Sequence, residues 1–339
     1  MLTVLLATRN RARVLHEVLQ SFVQLCQPSS GWKVVIVDNG SVDQTEEVIR
    51  SFSNRLPIFP VLEPCVGKNC ALNTGLGLVE GDLTVLTDDD VFPKANWLIE
   101  LRRAADEQPA YSIFGGAILP RWEAPPPCWV GWIDPGPIFT LSNPSLAEGP
   151  IRPSLVFGPN MAIRTSIFRS GVRFDASMGP RGSNYPMGSE TELVCRLDRQ
   201  GHKAWYVENA VVEHFIRQEQ LTERSAWRRA VRYGRGQFRL YYMEQLEGKK
   251  LWLGPRPYLF TKLVKIFVQM GIGALAVAAA HLCLGRKTIF RCRWRFGYRR
   301  GQAIEVLNIV RDGDAKLKRT SPDTRDGSPL PIANRTPLG

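Results

Sequence analysis

The chain opens with short apolar runs alternating with longer segments in which apolar residues recur every three or four positions. Leu2 to Ala7 reads as a buried strand, and Arg11 to Gln24 follows with Val14, Leu15, Val18, Leu19 and Phe22 at helical spacing. Lys33 to Val37 is a second apolar run, closing on Asp38, Asn39 and Gly40. A helix is expected from about Asp43, with Ser41 or Asp43 as its cap. A strand near Pro57 to Leu62, a helix over Asn69 to Val79 and a strand over Leu83 to Thr87 complete the series. Short buried strands alternating with helices imply βαβ units and a parallel sheet, and ligands of such sheets lie beyond the strands' carboxyl ends. Thr8, Asp38 and Asp88 to Asp90 are therefore expected on one edge.

The last of these strands, in TVLTDDDVFP, ends in three consecutive carboxylates. They repel one another and have poor strand propensity, so a compensating cation is expected there. Mg²⁺ or Mn²⁺ supplies it, since both take oxygen ligands and Mg²⁺ is usually shared between carboxylates and substrate phosphates. The plainer reading is an acidic start to the helix that KANWLIELRRA suggests. Neither G-x-G-x-x-G nor a Walker A pattern follows the first strand, so the metal, rather than a backbone cradle, is expected to bind phosphate. On this reading Asp38 accepts hydrogen bonds from a base or ribose, Asp88 takes the ribose side and Asp90 the metal.

Periodicity changes character after residue 110. YSIFGGAILP reads as a strand that leads into a Pro-rich loop over residues 121–153 carrying Trp122, Trp129 and Trp132. Long loops in compact domains are usually functional or disordered, and the indoles argue against plain disorder. A lid over a sugar, a stacking platform for an acceptor and a static flap all remain open. FGPNMAIRTSIFRSGVRFD suggests a strand pair and a short helix. GSETELVCRLDRQG starts a helix at Ser189, where Ser189 and Glu192 make an S-x-x-E capping box and Glu190 is not needed for the cap. HKAWYVENAVVEHFI reads as strands with His214 near the end. LTERSAWRRAVRYGRGQFRLYYMEQLEG is helical and carries Arg228, Arg229, Arg232, Arg235 and Arg239, with Arg217 just before it. A solvated face explains most of these arginines, and no recognised nucleic-acid motif accompanies them.

The most apolar run, residues 266–284, is long enough to cross a bilayer, though Gln269, His281 and two glycines interrupt it. Lys249, Lys250, Lys262 and Lys265 precede it, and Arg286, Lys287, Arg291, Arg293, Arg295, Arg299 and Arg300 follow. A single crossing would export the more basic flank, so a re-entrant or interfacial helix with both flanks on anionic cytoplasmic lipid fits better. The 339-residue chain is 44% hydrophobic, enough for a large core, and its net charge of +12 calls for anionic company. Seven cysteines form no C-x-x-C pair, and their odd number points to a reducing compartment. The first ten residues are not a signal peptide, which keeps the N-terminal part in the cytoplasm on this reading.

The runs VLLATRNRARVLHEVL, VVIVDNGSVDQTEEVI, GKNCALNTGL and TVLTDDDVFP, in that order, resemble the nucleotide-binding half of inverting family 2 glycosyltransferases with the GT-A fold. The resemblance implies an α/β protein with a Rossmann-like, mostly parallel central sheet flanked by helices. It implies donor contacts from Thr8, Asp38, Lys68, Asn73, Asp88 and Asp89, with Asp88 and Asp90 as the ends of a DxD motif and Asp90 on the metal. Glu190 occupies the place of the family's catalytic base, Ser189 replaces the acidic residue before it, and Glu192 is the alternative base. His214 stands where a third contact to the metal or diphosphate is common. Ala7, Arg9, Asn39 and Leu72 depart from the family pattern.

Three functions are compatible with these residues. The first is an inverting transferase dependent on Mn²⁺ or Mg²⁺ that moves a sugar from a nucleotide-diphospho-sugar to a glycan or lipid-linked hydroxyl acceptor, in cell-surface polysaccharide or glycolipid synthesis. It would act at the cytoplasmic face of the plasma membrane, bound peripherally, by a re-entrant helix or by a single span, with no nucleic-acid partner. A nucleotidyltransferase on a related fold and an inactive nucleotide- or glycan-binding relative are the others. The expected organisation is a GT-A domain over 1–245, split into a nucleotide half (1–110) and an acceptor half (111–245). A basic, apolar helical region (246–312) associated with the membrane and a disordered tail (313–339) follow.

Overall fold

The computed structural model describes residues 1–182, 185–247, 255–283 and 285–312. Its first part follows the alternation read from the sequence: β1 (Leu2–Thr8), α1 (Ala12–Val23), β2 (Trp32–Asp38), α2 (Thr45–Ser51), β3 (Ile58–Leu62), α3 (Lys68–Leu76) and β4 (Leu83–Leu86). Leu2, Val4, Leu5 and Leu6 of β1 have no exposed surface, as a strand covered on both faces requires. α1 buries the five residues whose spacing marks it, Val14, Leu15, Val18, Leu19 and Phe22. α3 lies so close to β1 that a Cβ on Gly75 would stand 2.3 Å from Leu5 Cδ1. β1 runs parallel to β2 and β4, and β2 parallel to β3. The register pairs Thr8 with Asp38, bringing both to the same strand ends.

Two local expectations change here. α2 starts at Thr45, and Asp43 just ahead of it accepts hydrogen bonds from the Thr45 backbone N–H and hydroxyl. Ser41 caps no helix: its Oγ accepts the Asn10 N–H and fastens the β1–α1 loop. The acidic trio is also not a helix start. After β4 the chain turns through Asp88 to Asp90 into a short strand, β5 (Val91–Pro93), and only then enters α4 (Trp97–Glu107).

The second part is mixed. β6 (Ile113–Trp122), α5 (Gly136–Phe139), β7 (Gly149–Ile151), β8 (Met161–Arg164), α6 (Thr165–Arg169), α7 (Ser189–Arg199) and β9 (Ala204–Ile216) follow in order. One strand, β8, stands where a strand pair was expected, because Gly158–Asn160 forms a 3₁₀ turn. The sheet order is β3-β2-β1-β4-β8-β6-β9-β5, with β7 paired to β9. β8 is antiparallel to β4 and β6, β9 is parallel to β6, and β5 and β7 run antiparallel to β9. The β5–β9 register sets Val91 opposite His214, which brings the histidine beside the acidic trio.

The tryptophan-bearing loop is packed against the body. Trp129 is buried and stacks on Phe139 and Phe290, with ring centroids 6.1 and 5.1 Å away, while Trp122 meets Phe139 edge-on. Phe290 belongs to the helical layer, formed by α8 (Glu223–Glu247), α9 (Pro255–Cys283) and α10 (Arg286–Asp312). α8 and α10 touch backbone to backbone: a Cβ on Gly234 or Gly301 would lie 2.0 Å from the carbonyl of Tyr298 or Val231. In α9, Pro257–Leu275 is long and apolar enough to cross a membrane, and only 11% of that stretch is buried. Phe260, Phe267, Val268, Ile272 and Leu275 are exposed on it, whereas Leu259 and Ile266 face the bundle. Leu284, Lys249, Lys250 and the tail 313–339 lie outside the described residues.

Candidate active site

At the carboxyl ends of β1, β2 and β4 the acidic trio is divided between two sets of partners. Asp89 Oδ2 accepts the Thr8 hydroxyl at 2.8 Å. Asp90 Oδ2 accepts Arg11 Nη1 at 3.0 Å, and the same nitrogen is 3.9 Å from Asp89 Oδ1. His214 Nε2 is 3.5 Å from Asp90 Oδ1, and Arg217 Nη1 is 4.0 Å from Asp90 Oδ2. Burial pushes the Asp89 carboxyl up to about 6, against the pull of Arg11 and with the help of the Asp90 charge. Burial acts the same way on Asp90, but the hydrogen bond and charge of His214, joined by Arg11, outweigh it and hold Asp90 below the ordinary carboxylate range. For His214 burial favours the neutral ring, yet Asp90 prevails and raises its pKa.

Asp88 belongs to the second set. Lys68 Nζ lies 2.5 Å from Asp88 Oδ1 and 2.7 Å from Glu190 Oε1, so one ammonium joins the trio to the start of α7. Burial opposes the Lys68 charge, but these two carboxylates more than compensate and raise its pKa. Burial likewise opposes ionisation of Glu190, and Lys68 with the Ser189 hydroxyl reverses it, leaving the carboxyl below its ordinary value. Glu190 has room only because residue 158 is glycine: a Cβ there would stand 2.5 Å from Glu190 Cγ.

The S-x-x-E capping box is not formed. Gly188, in the left-handed region at φ 100°, is the N-cap of α7, and Ser189 Oγ donates instead to Glu190 Oε2 at 2.6 Å. Glu192 is buried and accepts Arg196 Nε and Nη2 at 2.8 and 3.0 Å, one turn along the helix. It is not brought to the site. Asn73 is not brought there either, since its amide is occupied by the backbone of Phe174, donating at 2.9 Å and accepting at 2.8 Å. Thr8, Asp38, Lys68, Asp88, Asp89, Asp90, Glu190 and His214 do gather on this edge of the sheet. Asp38 accepts the Ser41 N–H at 2.9 Å and lines a cavity of about 210 Å³ with Glu46, Arg50 and Val61. Arg11, Gly158 and the positioning role of Ser189 were not anticipated. Arg11 was detectable in principle, because it follows β1 at the edge where the aspartates end.

The residues fit a divalent cation in part. His214 Nδ1 is 2.6 Å from the carbonyl of Phe139 and must donate to it, which turns Nε2 toward Asp90 as a potential ligand. Among the described residues no cluster of three His, Cys, Asp or Glu side chains is close enough to enclose a metal. Asp90 and His214 would therefore hold a cation only together with substrate oxygens and water, the arrangement usual for Mg²⁺.

Residues 3–133 match the model of glycosyl transferase family 2. A probable glycosyltransferase, YdaM, of Bacillus subtilis is 24% identical over 248 residues, covering 69% of this chain and 54% of its own length. The chain thus spans about half of that relative. A glucosyl-dolichyl phosphate glucuronosyltransferase of Haloferax volcanii is 23% identical over 56% of this chain and 61% of its own. Among solved structures, a mannosyltransferase of Pyrobaculum calidifontis in complex with GDP-Man and Mn²⁺ superposes with a TM-score of 0.57 at 18% identity, covering 90% of this chain and 86% of that one. Residues 3–133 are thus similar to glycosyl transferase family 2, and the chain is built on the GT-A fold.

Proposed function

We propose that this protein is an inverting, metal-dependent glycosyltransferase that takes a nucleotide-diphospho-sugar and glycosylates a hydroxyl acceptor in the synthesis of a cell-surface polysaccharide or glycolipid. The observation that carries this reading is the junction at Lys68, which gathers Asp88 and Glu190 although Glu190 lies 122 residues from Lys68 in sequence. It sets a donor-side acid next to a base. Asp38 and Asp88 would engage the nucleoside, Thr8 would hold Asp89 in place, and Asp90 with His214 would bind Mn²⁺ or Mg²⁺. A bound divalent ion supplies charge neutralisation for the departing diphosphate. Glu190, kept ionised at neutral pH by Lys68 and Ser189, takes the acceptor proton as the hydroxyl oxygen attacks the anomeric carbon opposite the nucleotide. Each carboxylate oxygen carries two lone pairs, so these two hydrogen bonds leave room for the acceptor.

The exposed apolar residues of α9, with Lys262 and Lys265 on that helix and Arg286 and Lys287 beyond it, support attachment to an anionic membrane surface. The name of the Haloferax relative favours a lipid-linked acceptor. The cytoplasmic leaflet is the fitting side for a basic surface of this kind.

The test is incubation with Mn²⁺, a panel of UDP-, GDP- and TDP-sugars and candidate acceptors, following nucleoside diphosphate release. Release that stops on chelation is expected, and Asp90→Ala should lose the metal-dependent part of nucleotide binding. Pyrophosphate release from a nucleoside triphosphate and a sugar phosphate would instead establish a nucleotidyltransferase. Equal UDP and GDP affinity with and without Mn²⁺ would remove the metal from the reading.

A further inference from the structure

Cys65 and Cys70 flank Lys68, and their Sγ atoms are 3.4 Å apart with both thiols free. Cys65 is exposed in the loop after β3, and Cys70 is half-buried in the first turn of α3. The segment between them is tied to the sheet edge on several sides. Asn39 donates to the Cys65 carbonyl at 2.8 Å and accepts the Gly67 N–H at 2.7 Å, while Lys68 N–H donates to the Pro180 carbonyl. Arg181 lies against the same turn, its Cδ 3.9 Å and Cys70 Sγ 3.6 Å from the point a Cβ on Gly67 would occupy.

From this geometry we infer that Cys65 and Cys70 form a thiol–disulfide exchange site for low-molecular-weight disulfides such as glutathione disulfide, and that its closure unseats Lys68 from Asp88 and Glu190. The Cys65 thiolate attacks one sulfur of the small disulfide, whose S–S bond breaks, and the departing thiolate takes a proton from water. Cys70 gives its proton to solvent and attacks the Cys65 sulfur, expelling the second small thiolate. Two protein thiols are thereby oxidised to one disulfide while the small disulfide is reduced to two thiols. Cys65 is exposed and Cys70 half-buried, so the small disulfide meets Cys65 first, and burial keeps the Cys70 thiol protonated in the resting protein. A disulfide bond is about 2.05 Å long, so closure draws the sulfurs together by roughly 1.4 Å. Lys68 sits inside the segment that must yield, and a displacement of about 1 Å at a reacting site costs up to about 100-fold in rate.

The functional consequence rests on the proposed donor reading, but the structural one does not. The full chain is treated with glutathione disulfide, its peptides are mapped by mass spectrometry, and Lys68 is probed with an amine-acetylating reagent. A Cys65–Cys70 crosslink reversible by dithiothreitol is expected, and Cys70→Ser should stop at a glutathione adduct on Cys65. Acetylation of Lys68 should rise several-fold on closure, with no rise in the treated Cys65→Ser/Cys70→Ser double variant. A glutathione adduct persisting on Cys65 in the native sequence, or Lys68 labelling unchanged after complete crosslinking, would overturn the inference. Mn²⁺-dependent binding of UDP or GDP is measured in parallel and should weaken at least tenfold on closure. If the reduced protein binds neither nucleotide, the donor reading fails, while the crosslink and the labelling still decide this inference.

Discussion

In the helical layer Glu305, with no exposed surface, accepts Arg235 Nε at 2.9 Å and Arg239 Nε at 2.6 Å, so two guanidinium groups from α8 close on one carboxylate from α10. At the sheet edge the proportions differ. Asp88, Asp89, Asp90 and Glu190 share Lys68, Arg11, Arg217 and His214, and the four acidic side chains keep 12 to 23% of their surface exposed. The first cluster is sealed and its acid is satisfied from two sides, which suits a rivet between helices. The second leaves Asp89 with a pKa pushed up to about 6 by burial and Asp90, a cluster that a further cation would relieve. Buried charge alone therefore does not mark a functional site; adjacent carboxylates that perturb one another and keep a route to solvent do.

The largest expected effect separates chemistry from binding at the open cluster. Glu190→Gln keeps the side chain's volume and its contact with Ser189 but removes the proton acceptor. Turnover should fall about 1,000-fold, within the range general-base catalysis contributes, while Mn²⁺-dependent nucleotide affinity changes less than threefold. Equal losses in both would make Glu190 a scaffold residue. At the closed cluster the outcome should invert. Glu305→Gln leaves two buried guanidinium groups facing a neutral amide and should cost about 3 kcal/mol of unfolding free energy, read by urea denaturation. Nucleotide affinity of the folded fraction should stay within twofold. A stability loss below about 1 kcal/mol would mean that the arginines find water or other partners as readily as Glu305.

How far each cluster was legible in the sequence follows from the range of its contacts. Thr8, Asp38 and Asp88 to Asp90 come from adjacent parallel strands, and the rule that ligands gather at strand carboxyl ends places them together without any tertiary knowledge. Glu190 reaches them only through Lys68 and through the space left at Gly158, contacts that no local pattern encodes. Resemblance to a family supplied that residue. Asn73 shows the reverse failure: its motif suggested the donor, yet its amide is spent on Phe174, 101 residues away. Glu192 was readable and was misread. Glu192 and Arg196 are one helical turn apart, a spacing that already offers the salt bridge they form.

A pH profile sharpens the comparison further, because the junction at Lys68 is the point where the open cluster is held in balance. Burial alone would raise the Glu190 pKa, and Lys68 is the main reason it is lowered. The folded-state value thus lies below the unfolded one, so the pairing stabilises the fold above the ordinary glutamate range and is lost as pH falls through the folded value. Lys68→Met removes the ammonium and leaves the burial. The acid limb of kcat/KM should then move upward, and the gain in stability as pH rises through the carboxylate range should flatten. An acid limb that stays in place would assign it to a group other than Glu190.

The smallest effect concerns Arg11, which stands against Asp90, the carboxylate proposed for the metal, and near Asp89. Its guanidinium lies 3.0 Å from Asp90 and 3.9 Å from Asp89, and a cation bound by Asp90 would compete with it for the same oxygens. Arg11→Gln removes that competitor and leaves the site more negative. Mn²⁺ affinity in the absence of nucleotide should therefore rise two- to fivefold, about 0.4 to 1 kcal/mol, as read by electron paramagnetic resonance of free Mn²⁺. The gain stays small because the Arg11 side chain is 29% exposed and its interaction is partly screened by water. Weaker Mn²⁺ binding in the variant would reverse the assignment, since Arg11 would then be aligning Asp90 for the metal. The sealed cluster offers the contrast. Arg239→Gln removes a guanidinium of the same kind from Glu305, and it should lower stability without changing Mn²⁺ affinity, because no carboxylate there is left short of a partner.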